Sequence, residues 1–295
     1  MTDRSASWEL ARGDEIAPGL TAMKPLGGGS AYEVYLAFDD RLYAPVVVKV
    51  VRPDQVDDDS TLRGLDRECD LLQRLNHPAI VRGFRASIDP PRPYVMLENL
   101  DGPRLSSLIR RHGPVPPQQL LPLGIELCSA VHYLGEMGVV HLDIKPSNII
   151  MGAPARLIDL SVARPIDRAA TLRAPIGTDA YMAPEQCIPA RDRAPAPESD
   201  IWGIGATLFH AVAGYRPFED GDDGASAPEE RWPQLVDPPM LLPEWVPDAL
   251  AKPILACLDA DQTARPTPVE LAETFEPLMA ALPKPRLGGW KPSLH

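Results

Sequence analysis

The first hundred residues alternate between apolar runs and short polar breaks at strand spacing. Residues 20–51 read as a strand, a Gly-rich turn and two more strands. In them, Val34-Tyr35-Leu36-Ala37-Phe38 and Val46-Val47-Val48-Lys49-Val50-Val51 are β-branched and aromatic runs broken by Asp39-Asp40-Arg41. A helix opens at 57–60, runs through Leu75 and is stopped by Asn76-His77-Pro78. Its apolar stripe is Leu65, Leu72 and Leu75. One more strand-like run, Tyr94-Val95-Met96-Leu97, ends at Glu98-Asn99-Leu100-Asp101-Gly102.

Beyond Gly102 the apolar period becomes that of helices. A short helix is predicted over 105–112 and a longer one over 117–138, with Leu120, Leu123, Leu127, Val131 and Leu134 on one face. Further apolar helices are expected over 200–214, 246–258 and 267–281. The segment 219–230 (EDGDDGASAPEE) reads as an acidic solvated loop, and the tail 283–295 as frayed. The pattern implies an α+β, bilobal architecture: a small strand-rich lobe with one helix, joined to a larger, mainly helical lobe.

Composition narrows the function classes. Of 295 residues, 44% are hydrophobic and 24% charged, an ordinary globular balance. The 29 Lys and Arg against 41 Asp and Glu leave a net charge of −12, which argues against nucleic-acid backbone binding. Cys69, Cys128, Cys187 and Cys257 form no CxxC pair, so neither a zinc site nor a disulfide scaffold is expected. Reduced thiols suggest a cytoplasmic protein. The N-terminus lacks the apolar core of a secretory signal, and the apolar stretch 201–212 is too short to span a bilayer and contains His210. The expectation is a soluble chain with no membrane insertion. Its 35 prolines are expected in loops and at element ends.

The chemistry-bearing residues come in order. Glu68 lies on the apolar stripe, three residues after Leu65 and four before Leu72, and a buried carboxylate needs a cation. Lys49 ends a run of three valines and is the economical partner; two unrelated snorkelling side chains are the alternative. Gly27-Gly28-Gly29-Ser30 between two strands is either a plain hairpin or a cradle whose backbone N–H groups approach an anion. His141-Leu142-Asp143-Ile144-Lys145-Pro146-Ser147-Asn148 puts an Asp, a Lys and an Asn in one loop, and Asp159 follows eleven residues after Asn148. Carboxylate and carbonyl oxygens suit a hard divalent cation such as Mg²⁺. A loop Asp can take a hydroxyl proton while a nearby Lys neutralises a transferred phosphoryl group. The bland alternative is an Asx-rich turn with an exposed Lys.

From about Leu20 to Leu282 this series resembles the catalytic domain of eukaryotic-type (bacterial) serine/threonine protein kinases. Gly27 and Gly29, Lys49, Glu68, His141 to Asn148, Asp159-Leu160-Ser161 and Ala183-Pro184-Glu185 stand in the family's order. Gly177-Thr178, Asp200-Ile201-Trp202-Gly203 and Arg265-Pro266-Thr267 extend it. Single motifs recur by chance; nine blocks in one order do not. The resemblance implies a kinase domain over 1–282, divided into lobes at about 15–102 and 103–282, that uses ATP and Mg²⁺ on protein substrates.

Residue by residue, the resemblance implies that Lys49 holds the α- and β-phosphates and pairs with Glu68. Asp143 would be the base, Lys145 would contact the γ-phosphate, and Asn148 and Asp159 would hold Mg²⁺. Leu26 and Gly27 to Ser30 would belong to the nucleotide loop, with Val34 and Val47 sandwiching adenine. The backbone of Glu98 and Leu100 would read the base's edge, with Leu97 as gatekeeper. Asp200 would anchor the catalytic loop, Glu185 would pair with Arg265, and Thr178 would contact Asp143 and Lys145. Lys145-Pro146 and Gly177-Thr178 resemble the Ser/Thr class.

Four positions depart from the family. Tyr32 replaces the third glycine, where a ring over the phosphates would shield them. Val47 stands where alanine is usual. Leu142 replaces the arginine that receives an activation-segment phosphate, so a phosphate on Thr171, the lone hydroxyl residue of 162–176, loses its direct partner. Leu160-Ser161 replaces Phe-Gly; leucine can still fill the apolar slot, but serine loses glycine's freedom at positive φ. The rival functions are a pseudokinase or scaffold module on the same fold, and a small-molecule phosphotransferase. With no sensor domain in the sequence, input would come through a regulatory partner, a ligand or expression level.

Overall fold

The β-branched runs pair with one another, and the period change after Gly102 marks a change of architecture. The computed structural model describes residues 6–190 and 193–283; of the tail predicted over 283–295, all but Pro283 lies outside the described residues. The strand-rich half contains β1 (Glu15–Ala17), β2 (Leu20–Gly28), β3 (Tyr32–Asp39), β4 (Ala44–Val51), helix α1 (Asp59–Arg74), β5 (Gly83–Ser87) and β6 (Tyr94–Glu98). The helical half opens with α2 (Leu105–His112) and α3 (Pro117–Glu136). The two-residue strands β7 (Val139–Val140), β8 (Ile149–Ile150), β9 (Arg156–Leu157) and β10 (Arg164–Pro165) follow. Helices α4 (Ile166–Ala169), α5 (Pro184–Cys187), α6 (Pro197–Ala213), α7 (Pro228–Arg231), α8 (Asp248–Ala256) and α9 (Pro268–Ala281) complete it. No helix among the described residues is long and apolar enough to cross a membrane.

The sheet is antiparallel throughout, in the order β1-β2-β3-β4-β6-β5. Its register sets Val34 opposite Lys49 and Val47 opposite Leu97. Strand side chains alternate between faces. Val46, Val48 and Val50 therefore pack with Leu20, Ala22, Tyr35 and Ala37 on the outer face, which Leu10 also covers. Lys49 points the other way, toward α1. Its burial comes from that helix and not from the flanking valines. Asp58 caps α1 by accepting the Thr61 N–H at 2.7 Å, and the helix buries Leu65, Glu68, Cys69, Leu71 and Leu72.

Strands β1 and β5 were not expected. β5 pairs only with β6 and alternates between exposed and half-buried positions, so it leaves little apolar signature. Prolines occupy the first helical position of α3, α5, α6, α7 and α9, as a missing N–H favours there. Against expectation, Pro122, Pro253 and Pro277 lie inside helices. Tertiary packing carries these helices where local propensity does not.

Helix α6 is the spine of the helical half, with most of its residues fully buried. At Gly205 a Cβ would lie 2.5 Å from the Cys257 Cβ, so glycine there lets α8 approach. Glu185 and Arg265 form a bidentate pair at 2.7 and 3.0 Å, with neither side chain exposed. Ser199 adds a hydroxyl donor to Glu185 at 2.6 Å, and Arg265 also donates to the carbonyls of Glu198 and Asp259. Burial alone would raise the Glu185 carboxyl; the guanidinium and Ser199 outweigh it and hold it below the ordinary glutamate range.

Arg265→Met should therefore destabilise the chain by roughly 3–5 kcal/mol, because it orphans a buried carboxylate. A depressed carboxyl contributes stability that is present above its unfolded pKa and lost as pH falls through the folded value. The pair's contribution should thus disappear only well into acid, below the ordinary glutamate range. Thermal melts of parent, Arg265→Met and Glu185→Gln against pH check this; an unchanged Tm in Arg265→Met contradicts it.

Candidate active site

A cleft of about 500 Å³ lies between the two halves. Leu26, Val34, Val47, Leu97 and Leu100 give it apolar walls, and Lys49, Glu68, Asn148 and Asp159 line it with polar groups. Gly27 and Gly28 end β2, paired with Val34 and Glu33, and Gly29 to Ala31 turn the chain into β3. Glycine is needed at Gly28, where a Cβ would sit 2.3 Å from the Tyr32 carbonyl oxygen. Glu98 also lines the cleft, but its carboxylate accepts from the Arg82 N–H at 2.9 Å and from Arg156 at 3.4 Å. Its N–H is also spent, on Arg82 O at 2.9 Å, so a ligand would meet its carbonyl oxygen. Among the described residues, the Leu100 N–H donates to no protein acceptor.

Three elements meet at Lys49. Its Nζ lies 2.8 Å from Glu68 Oε2 on α1 and 3.1 Å from Asp159 Oδ1. Burial disfavours the ammonium, but the two carboxylates outweigh it and hold Lys49 above its usual range. Burial likewise opposes the charge on Asp159, and Lys49 together with Ser161 holds that carboxyl well below the ordinary aspartate value. Asp159 has φ +67°, and Leu160 fills an apolar slot in the core. The expected strain at Ser161 does not arise, because positive φ falls on Asp159 and not on the serine, whose N–H caps the Asp159 carboxylate at 3.3 Å.

The loop from His141 to Asn148 hangs from α6. Asp200 is buried and accepts the N–H groups of His141 at 2.7 Å and Leu142 at 2.8 Å. Leu142 takes φ +63°, which is costly for a bulky residue. Gln186 holds its other side by donating to the Leu142 carbonyl at 2.8 Å and to Ile176 O at 2.9 Å. Gln186 follows Ala183-Pro184-Glu185 directly and was not anticipated. Only its position beside that motif hinted at a role.

Below this suspension sits the polar cluster. Asp143 Oδ2 accepts from Lys145 Nζ at 2.7 Å and Asn148 Nδ2 at 3.0 Å, while Thr178 Oγ1 donates to Asp143 Oδ1 at 2.7 Å. Lys145 also contacts Thr178. Both amide contacts of Asn148 to Asp143 use its nitrogen, which leaves its carbonyl oxygen unspent. That oxygen and the ionised Asp159 carboxylate are hard donors in one cleft. They fit Mg²⁺, which keeps several waters and asks the protein for few ligands.

Two departures from the family acquire a physical account. The Tyr32 ring does not cover the glycine turn: it packs against the Lys49 ammonium, 4.5 Å from Nζ to the centroid, and its hydroxyl donates to Thr61 O at 3.1 Å. The Leu142 side chain is buried with Val140 and Ala169, and Val162, Ile166, Leu172 and Ile176 pack around them. This small apolar core fastens the segment after Asp159. Thr171 is exposed beside it, its hydroxyl bonded to Arg168 O at 2.8 Å. The guanidinium groups of Arg164 and Arg173 are bonded to backbone carbonyls of their own segment.

Comparison with known proteins agrees with this geometry. A family model described as "Protein kinase domain" matches residues 20–275. The serine/threonine-protein kinase PknB of Mycobacterium leprae is 35% identical over 202 residues, which cover 65% of this chain and 32% of the relative. PknB of Mycobacterium tuberculosis is 34% identical over 211 residues, 68% of this chain and 33% of the relative. The probable serine/threonine-protein kinase PkwA of Thermomonospora curvata is 34% identical over 251 residues, 83% of this chain and 32% of the relative. The chain spans about a third of the length of these curated relatives. With the family model matching most of its length, the chain belongs to the protein kinase domain family, among relatives that are bacterial Ser/Thr kinases.

Proposed function

We propose that this chain transfers the γ-phosphoryl group of ATP to Ser or Thr hydroxyls of protein substrates, itself included. The observation that carries the reading is the series of polar groups that line the cleft. Lys145 and Asn148 meet on Asp143, Asn148 shares the cleft with Asp159, and Asp159 and Glu68 share Lys49.

In this reading Val34 and Val47 grip the adenine ring, and backbone groups of Glu98 and Leu100 hold its edge. Glu68 fixes the Lys49 ammonium, which holds the α- and β-phosphates against the cleft floor. Asn148 and Asp159 would hold Mg²⁺, whose charge offsets that of the phosphate oxygens. Asp143 orients the substrate hydroxyl and accepts its proton, and Lys145 neutralises charge on the transferred group. Thr178 already places a hydroxyl on Asp143, the kind of contact a substrate Ser or Thr would make.

Replacing Asp143 by Asn should lower turnover about a hundredfold or more while nucleotide still binds, because only the carboxylate accepts the proton. Asp159→Asn should instead weaken Mg²⁺-dependent ATP binding itself. Initial rates and calorimetry with and without Mg²⁺ separate the two; undiminished autophosphorylation in Asp143→Asn contradicts the reading.

The apolar core around Leu142 does the fastening that a phosphate would otherwise do. Thr171→Ala should therefore change the rate less than about threefold, under about 0.7 kcal/mol on the barrier. Leu142→Arg, which puts a cation into that core, should lower both rate and Tm. Rates on myelin basic protein check both, and a tenfold loss in Thr171→Ala would mean that a phosphate does order the segment.

A further inference from the structure

Tyr32 begins β3, directly opposite Val51 on β4. Its side chain leaves the sheet and reaches α1, with the ring against the Lys49 ammonium and the hydroxyl on the Thr61 carbonyl in the helix's first turn. Gly64 lies one turn further along, where a Cβ would stand 3.5 Å from that hydroxyl. A mid-helix glycine is locally unfavourable, and a Cβ there would rest in ordinary van der Waals contact with the tyrosine hydroxyl.

The turn that carries Tyr32 is itself pinned. Arg52, at the end of β4, donates from Nε to Gly29 O at 2.7 Å and from Nη1 to Glu33 Oε1 at 2.9 Å and Ala6 O at 3.0 Å. Its N–H bonds Ala31 O at 3.0 Å. Tyr32 thus hangs from a fixed frame, and its two contacts bear on the groups that set the ion pair: the Lys49 ammonium and the helix that carries Glu68. Burial pushes the phenol up to about 12, so the hydroxyl remains a donor at any physiological pH.

We propose that Tyr32 is a positioning residue for phosphoryl transfer: it bolts α1 to the sheet, so that Glu68 and Lys49 stay engaged without a phosphate on the activation segment. The proposal rests on the phosphotransfer reading for its effect on turnover, and on the helix contacts alone for its effect on α1. With Leu142 offering no donor to a phosphate, a fixed internal latch supplies the alignment. The rate then follows the amount of chain present and its substrates, and not its phosphorylation state.

The test compares parent, Tyr32→Phe and Tyr32→Gly chains. Turnover and KM for ATP are measured with myelin basic protein, alongside amide hydrogen exchange of α1, α3 and α6. Tyr32→Gly, which restores the family's residue, should lower kcat by about tenfold or more, or 1.4 kcal/mol on the barrier, with a smaller change in KM. Exchange should quicken in α1 and stay unchanged in α3 and α6. Tyr32→Phe keeps the ring on Lys49 and should fall between the two. A Tyr32→Gly chain as fast as the parent overturns the proposal, as does unchanged exchange in α1. So does a uniform rise across all three helices, which would mark general loss of stability. A parent chain that transfers no phosphoryl group defeats the assigned activity, and exchange in α1 then decides the latch by itself.

Discussion

One buried ammonium ties the molecule's two halves to its chemistry. Lys49 comes from the sheet, Glu68 from α1, and Asp159 from the segment that follows β9 in the helical half. A lysine this buried is tolerable only because two carboxylates face it, and a fully buried glutamate only because the lysine does. Each member therefore enforces the placement of the other two. Misplacing α1 would leave Glu68 unpaired on an apolar stripe. Moving Asp159 would leave the cleft without its ionised donor and spoil the approach of a divalent cation. The geometry proposed for phosphoryl transfer is also the geometry that avoids an unpaired buried charge.

A second constraint acts from below. The loop from His141 to Asn148 has only a short 3-10 turn of its own, Pro146–Asn148; it is hung between Asp200 on α6 and Gln186 beside the Ala183-Pro184-Glu185 turn. That suspension holds Leu142 at positive φ and turns its side chain into the apolar core of the activation segment. At the position where the resemblance implies an arginine, this chain places a hydrocarbon that packs into the segment's own core. The replacement at Leu142 and the one at Tyr32 act in the same direction. Both put a bulky side chain into a packed contact within the chain.

Much of this was legible in the residues. The alternation in 34–38 and 46–51, the stripe of Leu65, Leu72 and Leu75, and the face from Leu120 to Leu134 mark the elements, because each buries one side against a large core. Glu68 on that stripe pointed to Lys49 before any distance was known. What escaped has physical reasons. Strand β5 is half exposed and pairs on one edge, so no apolar alternation announces it. Trp8 and Leu10 cover the outer face of the sheet as isolated apolar residues in a segment with no period. The direction of the Tyr32 ring could not follow from composition, since it depends on the helix that passes beneath the sheet. The resemblance places positive φ at Ser161, whereas the chain takes that conformation at Leu142 and Asp159. Gln186 is marked only by its place beside Ala183-Pro184-Glu185, because its role arises only once the loop and the turn are adjacent.

The triad claim can be tested directly by a double-mutant cycle on Lys49 and Glu68, read as unfolding free energy by denaturant titration. Lys49→Met alone should cost roughly 3–5 kcal/mol, because it strands Glu68 and leaves Asp159 uncompensated. Glu68→Gln in the same chain should return part of that loss, with a coupling energy of at least about 1 kcal/mol. Additive single and double losses, with no coupling, would show that the two side chains do not meet and that α1 is placed by something else.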